Sequence, residues 1–433
     1  MHPWVSFIGF PVVNVEPTAA GLRLTQNRFL SSGDPSPAED GALWPIPLNV
    51  QAVGGGKVHR VLMTARTMDL ALPDAMTVLY KLNTEMSGVF RVRYSPAYLA
   101  RLAAATFPAS GLASPLSVAD QLGLVQDALV LAPAGYSTTC ASLEFLRSLA
   151  AGHERSYLVW FEAAEHLRQL LDAWWERPAD ELAAVRAFAR ALFAPLRDEV
   201  GLAHEEGDDV ERRMMRILVV AALAQAEDPA VLAHLQQQFL LLAAGQADPA
   251  SAPADLVGVI VAESVAHGGA QFYGIAQAIY AIPPTPAHKL AAIAGLTSVR
   301  EPALVQQTAG MLLSGAVAEQ DMSAFLVGLA RNPASRRMMW GYLQQEWPML
   351  HAKFAGTHSL GAILQWSFQL LSSTKDADAV EAFFADVDCE GFEGPLKQAI
   401  ETVRTKAKWI ERDADGLREW LSEQGYLGVG DAG

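Results

Sequence analysis

The chain has 433 residues, 51% hydrophobic and 18% charged, enough for two or three domains with a sizeable core. Its formal net charge of −15, with no sustained Lys/Arg block, argues against a polyanion partner, so no nucleic acid is expected. The two cysteines, Cys140 and Cys389, form no spaced pair, which argues against a disulfide framework and a cysteine zinc site.

The first hundred residues read as short, partly alternating strands: FIGFPVVNVEP, GLRLTQNRFL, LWPIPLNVQAV, KVHRVLMTART and GVFRVRYS. Turn clusters separate them, including SSGDPSPAEDG (31–41) and GGGK (54–57), and this spacing predicts a small sandwich or barrel. The character changes near Ser95-Pro96, and helical apolar periodicity then runs nearly to the end. SVADQLGLVQDALVLA (117–132) begins at a Ser cap and places Leu122, Val125, Leu129 and Ala132 on one face. Gly and Pro punctuation then predicts many helices of roughly 10–20 residues. EDPAVLAHL (227–235), REPALVQQT (300–308) and RNPASRRMM (331–339) each set a Pro at the first helical turn ahead of an apolar face. The expected fold is a β-sandwich over 1–96, followed over 97–433 by a HEAT/armadillo-like α-helical superhelix. In LARNPASRRMMWGYLQQEWPML (329–350), Pro333 is expected to start a helix that carries Trp340 and Trp347 on one face, and a second Pro, Pro348, closes the run.

No uncharged apolar stretch reaches the ~18 residues of a membrane helix. ILVVAALAQA (217–226) is flanked by Arg216 and Glu227. The N-terminus MHPWVSFIGF lacks the basic-then-apolar pattern of a leader, so a cytoplasmic location and no membrane partner are expected.

The search for catalytic groups is mostly negative. HEEGD (204–208) starts like a zinc-hydrolase helix, but Asp208 stands where the second His belongs. That stretch reads as a solvated loop and helix start. EAAEH (162–166) has one His, GGGK is followed by Val58 and reads as a hairpin turn, and GTHSLG (356–361) lacks nucleophile-elbow spacing. The helical tryptophans Trp174, Trp175, Trp340, Trp347, Trp366, Trp409 and Trp420 read mostly as core. Arg331, Arg336 and Arg337 concentrate positive charge at one helix start in an acidic protein, where they could hold a carboxylate. The alternative for these arginines is surface salt bridges.

The order of motifs resembles the C-terminal half of the zinc aminopeptidases related to aminopeptidase N and the puromycin-sensitive enzyme. It begins with Trp4 and GFPVVNV (9–15), then QNRF (26–29), WPIPL (44–48), Asn83 with GVFRVRY (88–94), and DQLGLVQDALVLAPAG (120–135). GGAQFY (268–273), EQDM (319–322), ARNPASRRMMWGYLQQEW (330–347), AVEAFF (379–384) and IETVRTKAKWIERDADGLREWL (400–421) follow in family order. Phe90, Gln121 and Ala318 depart from the residues usual at those places. The resemblance implies a small β-sandwich and an ERAP-type helical domain without the catalytic domain, which in the family supplies the zinc and its ligands. It therefore implies no cofactor in this chain and no activity on its own. Its expected partners are peptide substrates and a catalytic domain in the same or a separate chain. By the same resemblance, Arg331 is the first candidate to contact a peptide's C-terminus and Lys375 a further one, while Arg336 and Arg337 are peptide-binding candidates from their charge at the helix start. An apolar surface is expected within 1–100. Two other readings stand beside this one: a non-enzymatic HEAT-like scaffold that binds peptides or proteins, and a complete enzyme with an unrecognised site.

Overall fold

The computed structural model describes residues 2–33, 35–36, 38–247, 252–354 and 356–428. Asp34 and Pro37 of the 31–41 turn cluster lie outside these ranges. A short helix, α1 (His2–Ser6), precedes β1 (Phe10–Thr18), β2 (Gly21–Phe29), β3 (Ile46–Ala52), β4 (His59–Met63), β5 (Thr67–Ala71), β6 (Tyr80–Leu82) and β7 (Arg91–Tyr94). Helices follow: α2 (Pro96–Thr106), α3 (Val118–Leu131), α4 (Thr139–Ala151), α5 (Tyr157–Trp174), α6 (Ala179–Val200), α7 (Val210–Gln225), α8 (Pro229–Ala243) and α9 (Val257–Ala281). The remainder are α10 (Pro286–Ser298), α11 (Pro302–Leu313), α12 (Met322–Arg331), α13 (Pro333–Phe354), α14 (His358–Phe368), α15 (Thr374–Phe384) and α16 (Glu393–Glu423). The architecture is thus a small N-terminal β region of two sheets followed by a helical domain. Strand turns to helix at Ser95, whose side chain caps α2 by accepting from Tyr98 N. The chain divides into two compact units, Met1–Leu167 with Glu411–Gln424, and Arg168–Ile410 with Gly425–Gly433.

In the first unit the sheet orders are β5-β2-β1-β7 and β4-β3-β6. β1 is paired on both edges, antiparallel to β2 and parallel to β7, and Val12 and Val13, which point to opposite faces, are each 0% exposed, so both faces are covered as well. Val12 and Phe29 pack with Leu131, Ala134 and Tyr136 from the end of α3 and the turn after it. Burying each such side chain contributes about 1.5–3 kcal/mol. α3 is buried on more than the face its periodicity marks, since Leu124, Ala128 and Leu131 are buried as well. GGGK does form a hairpin connection: β3 pairs with β4 from Val50↔His59, and Gly54, Gly55 and Gly56 all sit at φ near +100°, where only glycine is unstrained. β5 and β6 are too short and too broken in their apolar pattern to stand out in the sequence.

Three of the sequence motifs acquire physical roles in this unit. The Gln26 side-chain amide is fully buried, donates to Trp44 O (3.1 Å) and Ala65 O (3.0 Å), and accepts from Trp44 N (2.9 Å). It satisfies main-chain groups that would otherwise be buried unpaired. Asn83 accepts from Gly88 N (2.8 Å) and donates to Gly88 O (3.0 Å), which fixes the five-residue spacing before GVFRVRY. Asp413 likewise accepts from both Thr139 N (2.8 Å) and Thr139 Oγ1 (2.6 Å), capping the start of α4. Outside the first strand, Val5, Ile8, Leu43, Leu62, Met76 and Val89 are exposed within 1–100.

In the second unit Pro229, Pro302 and Pro333 occupy the first turns of α8, α11 and α13, as their spacing predicts. α9 continues through Gly268-Gly269, but Gly269 leaves helical geometry at φ 65° and ψ −155°. α13 does not end at Pro348; it runs on to Phe354. Trp340 and Trp347 are both buried on one side of it, each edge-on to Phe383, at 5.6 and 6.4 Å between ring centres. Phe384 and Phe392 complete the packing around Trp347 at 5.1 and 5.6 Å. The HEEGD segment departs from the solvated-loop reading: Asp209 caps α7, but the Asp208 side chain is 4% exposed and pairs at 2.6 Å with Arg216, which is fully buried.

Candidate functional site

The arginines of the 329–350 stretch do not share one helix start. Arg331 is the last residue of α12, whereas Arg336 and Arg337 lie in the first turns of α13. Asn332 makes the break by donating to Thr297 O and Val299 O (2.9 and 2.7 Å) while accepting from Ala334 N (3.0 Å). Three cations close in sequence therefore have three different surroundings.

Arg336 is a core residue, 1% exposed. Its guanidinium donates to four carbonyls, Ala330 O, Arg331 O, Asp172 O and Leu370 O, and pairs with Asp172 Oδ1 at 3.3 Å. Burial pushes its pKa down, and Asp172 works against that shift. Lys406 nearby donates to Gln369 O at 2.7 Å; burial first, and then Arg336, push its ammonium down to about 8. Arg337 is partly exposed and binds two carboxylates: Glu176 (2.7 Å through Nε) and Asp376, which also completes the capping box begun by Ser373 at the start of α15. Hydrogen bonding to Glu176 is the first reason its pKa rises. Both guanidinium groups lie over Trp175, at 4.8 and 5.5 Å from the ring centre. The salt-bridge alternative thus describes Arg337, while Arg336 belongs to the interior.

Arg331 is exposed and has no acidic partner among the described residues. Its guanidinium lies 4.3 Å from the ring centre of Trp366 on α14. A planar cation stacked on an aromatic face keeps its N–H edge directed outward, available to a planar anion. Beside this pair lies a cavity of about 290 Å3, lined by Ser323, Leu326 and Val327 of α12 and by Ala362, Ile363, Trp366 and Ser367 of α14. Helical spacing explains the arrangement: Val327 and Arg331 are four apart, as are Ala362 and Trp366, so each pair shares a face. The result is a largely apolar recess, one wall of which, Trp366, also carries the Arg331 guanidinium. Lys375 is exposed at the start of α15, next to the Ser373–Asp376 capping box, and does not line that cavity.

Trp366 is the functional candidate that sequence reasoning missed, because it was grouped with core tryptophans and lies 35 residues from Arg331. No local pattern links such a pair. Asp376 was legible in principle, since Ser-x-x-Asp before an apolar run marks a capping box. Among the described residues, no three His, Cys, Asp or Glu side chains are grouped to hold a metal, and Asp208, at the second-ligand position after His204, is taken by Arg216. No single helix among the described residues is long and apolar enough to cross a membrane.

A small two-sheet β region followed in sequence by a helical domain is the class of architecture to which this chain conforms. Residues 79–405 match the family described as the ERAP1-like C-terminal domain, and the chain belongs to that family. It is 28% identical over 429 residues to "Aminopeptidase 2, mitochondrial" of Saccharomyces cerevisiae, covering 98% of this chain and 44% of that protein. It is 29% identical to "Aminopeptidase 2" of Candida albicans, covering 98% and 45%. It is 25% identical to "Endoplasmic reticulum aminopeptidase 2" of Bos taurus, covering 97% and 44%. The chain therefore spans rather less than half the length of these relatives.

Proposed function

We propose that this chain is the substrate-enclosing, regulatory C-terminal portion of a zinc metalloaminopeptidase that removes N-terminal residues from peptides. In this reading the helical domain stacks as a HEAT-like wall that caps an active-site cavity built from residues outside this chain's own set. Capping excludes water and limits which peptide bodies fit. The zinc and its chemistry belong to those other residues. The names of the relatives support the aminopeptidase setting. The observation that carries the contact is Arg331, a cation without a carboxylate of its own, beside an apolar recess. A peptide's terminal carboxylate would take the guanidinium edge while its last side chain enters the recess. Arg336 and Arg337 would hold α13 in place behind it, and Lys375 would add positive charge further along.

The test is binding of a fluorescent nonapeptide with a free C-terminal carboxylate, compared with its C-terminal amide. The carboxylate form should bind about tenfold tighter, the size of one charge-assisted hydrogen bond. Arg331→Ala should abolish that preference without lowering the melting temperature. Equal binding of acid and amide would overturn the assignment of Arg331. Reconstituted peptidase activity on adding a separate catalytic half would favour the enzyme-portion reading over a free-standing scaffold.

A further inference from the structure

The first unit contains a second cavity, about 330 Å3, whose apolar lining includes Phe10, Met86, Val89 and Phe90 and whose polar and charged lining includes Lys81, Asn83, Arg91, Gln126 and Asp127. One wall is a strained loop. Asn83, Glu85 and Met86 all adopt positive φ (55°, 57° and 49°), a region that costs non-glycine residues roughly 1–3 kcal/mol each. The surroundings hold it there. Asp120 accepts from Glu85 N at 2.7 Å and pairs with Lys81 Nζ at 2.5 Å, both side chains under 5% exposed. Lys81 also donates to Asn83 O at 2.8 Å, and the Asn83 amide bridges to Gly88. The loop is therefore fixed rather than merely folded over the cavity.

Arg91 is under-used in this setting. A guanidinium has five N–H donors, yet the one acceptor for Arg91 among the described residues is Asp127 Oδ1, at 3.4 Å. That distance is long for an ion pair. Asp127 directs its other oxygen to Val92 N at 3.0 Å. Arg91, its side chain 25% exposed, lines this cavity together with both apolar and polar side chains.

We propose that this cavity binds a small carboxylate with an apolar body, its carboxylate on Arg91 and its body against Phe10, Val89 and Phe90. Asp127 is the internal competitor for the same guanidinium. The other charged or titratable groups near Asp127 are Lys81 from β6, Tyr94 from β7 and Asp120 on α3 itself; from α5, Glu162 is engaged by Gln126 at 2.8 Å. Burial pushes the Asp127 carboxyl up to about 6, against the pull of Arg91. Below that pH Asp127 is neutral and Arg91 is left for the ligand, while a simple carboxylic acid is still ionised. Ligand affinity should therefore rise as pH falls from about 7.5 to about 5.5.

The test uses phenylpropionate, with phenylpropanol as the neutral control, read by calorimetry and by amide chemical shifts of residues 83–92. The acid should bind and the alcohol should not. Arg91→Gln should weaken acid binding by about tenfold or more, and Arg91→Lys should retain part of it. Asp127→Asn should bind equally well at both pH values, at the low-pH affinity of the parent. Absence of acid binding, equal binding of acid and alcohol, or binding unchanged in Arg91→Gln would each overturn the proposal. If Arg91→Gln does not fold, the Arg91→Lys and Asp127→Asn pH series decides the matter: an Asp127→Asn protein with the parent's pH dependence would overturn it.

Discussion

In the first unit Lys81 is buried against Asp120, and Arg91, ten residues later, stands at a cavity beside a carboxylate it barely reaches. In the second, Arg336 is buried against Asp172 and four carbonyls, and Arg331, five residues earlier, lies over an indole that lines a cavity. In each of these two pairs one cation is buried and the other is left open. What differs is the neighbour of the open one. A carboxylate neighbour competes with any anionic ligand and makes the competition depend on pH. An aromatic neighbour orients the cation and does not compete. The buried members differ too: Lys81 depends on one carboxylate and one carbonyl, whereas Arg336 spreads its charge over five acceptors.

The largest effect should come from breaking the more concentrated buried pair. Asp120→Ala leaves the Lys81 ammonium almost fully buried with Asn83 O alone, and it also strips Glu85 N of its acceptor. Orphaning a buried charge costs about 3–5 kcal/mol. Asp172→Ala should cost less, about 1–2 kcal/mol, because the four carbonyls around Arg336 remain and Asp172 is 25% exposed. Urea unfolding of the two variants checks the order. Equal losses would mean that dispersing a buried charge over carbonyls gives no protection here.

How much of this was legible in the sequence depends on how local each signal is. The strand-to-helix change at Ser95, the proline-started helices and the inward pair Trp340 and Trp347 follow from capping chemistry and helical period, which act within a few residues. The fixed motif order disclosed the family, and the comparisons agree with it. The fates of the arginines were not legible. Whether Arg336 or Arg331 is buried turns on Asp172 and Trp366, which reach them through tertiary packing. The burial of Asp208 was hidden for the same reason: a run of acids reads as solvated until the Arg216 side chain is seen to enter it. Arg91 and Asp127 sat inside recognised family motifs, but nothing in the motif tells how far apart they lie.

The second effect sharpens the carboxylate side of the comparison. Asp127 has its folded pKa raised from 3.8 to about 6, so between those values the folded state binds more protons than the unfolded chain. Stability from this site is therefore greatest at low pH and falls as pH rises from about 4 through about 6. A shift of this size corresponds to as much as ~3 kcal/mol at neutral pH, since each pKa unit is worth about 1.4 kcal/mol. Asp127→Asn should be more stable than the parent at pH ~7.5, and the gap should close as pH approaches ~5. Thermal melts across that range read the gap directly. A gap independent of pH would mean that Arg91 already neutralises the carboxylate, despite the 3.4 Å separation.

The smallest effect tests the aromatic side. Trp366→Ala leaves Arg331 exposed but removes the indole over which its guanidinium is placed. An exposed cation–π contact contributes about 0.5–1 kcal/mol, and the stacked geometry also spares some ordering of the side chain when an anion arrives. Trp366→Ala should therefore weaken binding of a peptide carboxylate less than Arg331→Ala does, by about two- to fivefold, with no dependence on pH between ~5.5 and ~8. Trp366→Phe should restore most of it, because Phe offers a similar face with a weaker quadrupole. The amide form of the peptide also separates two roles for Trp366. If the amide loses as much affinity as the acid in Trp366→Ala, the indole acts only as a wall of the recess. If the acid alone loses affinity, the indole acts through Arg331, and the contrast with the Asp127-bound Arg91 stands on chemistry rather than on position.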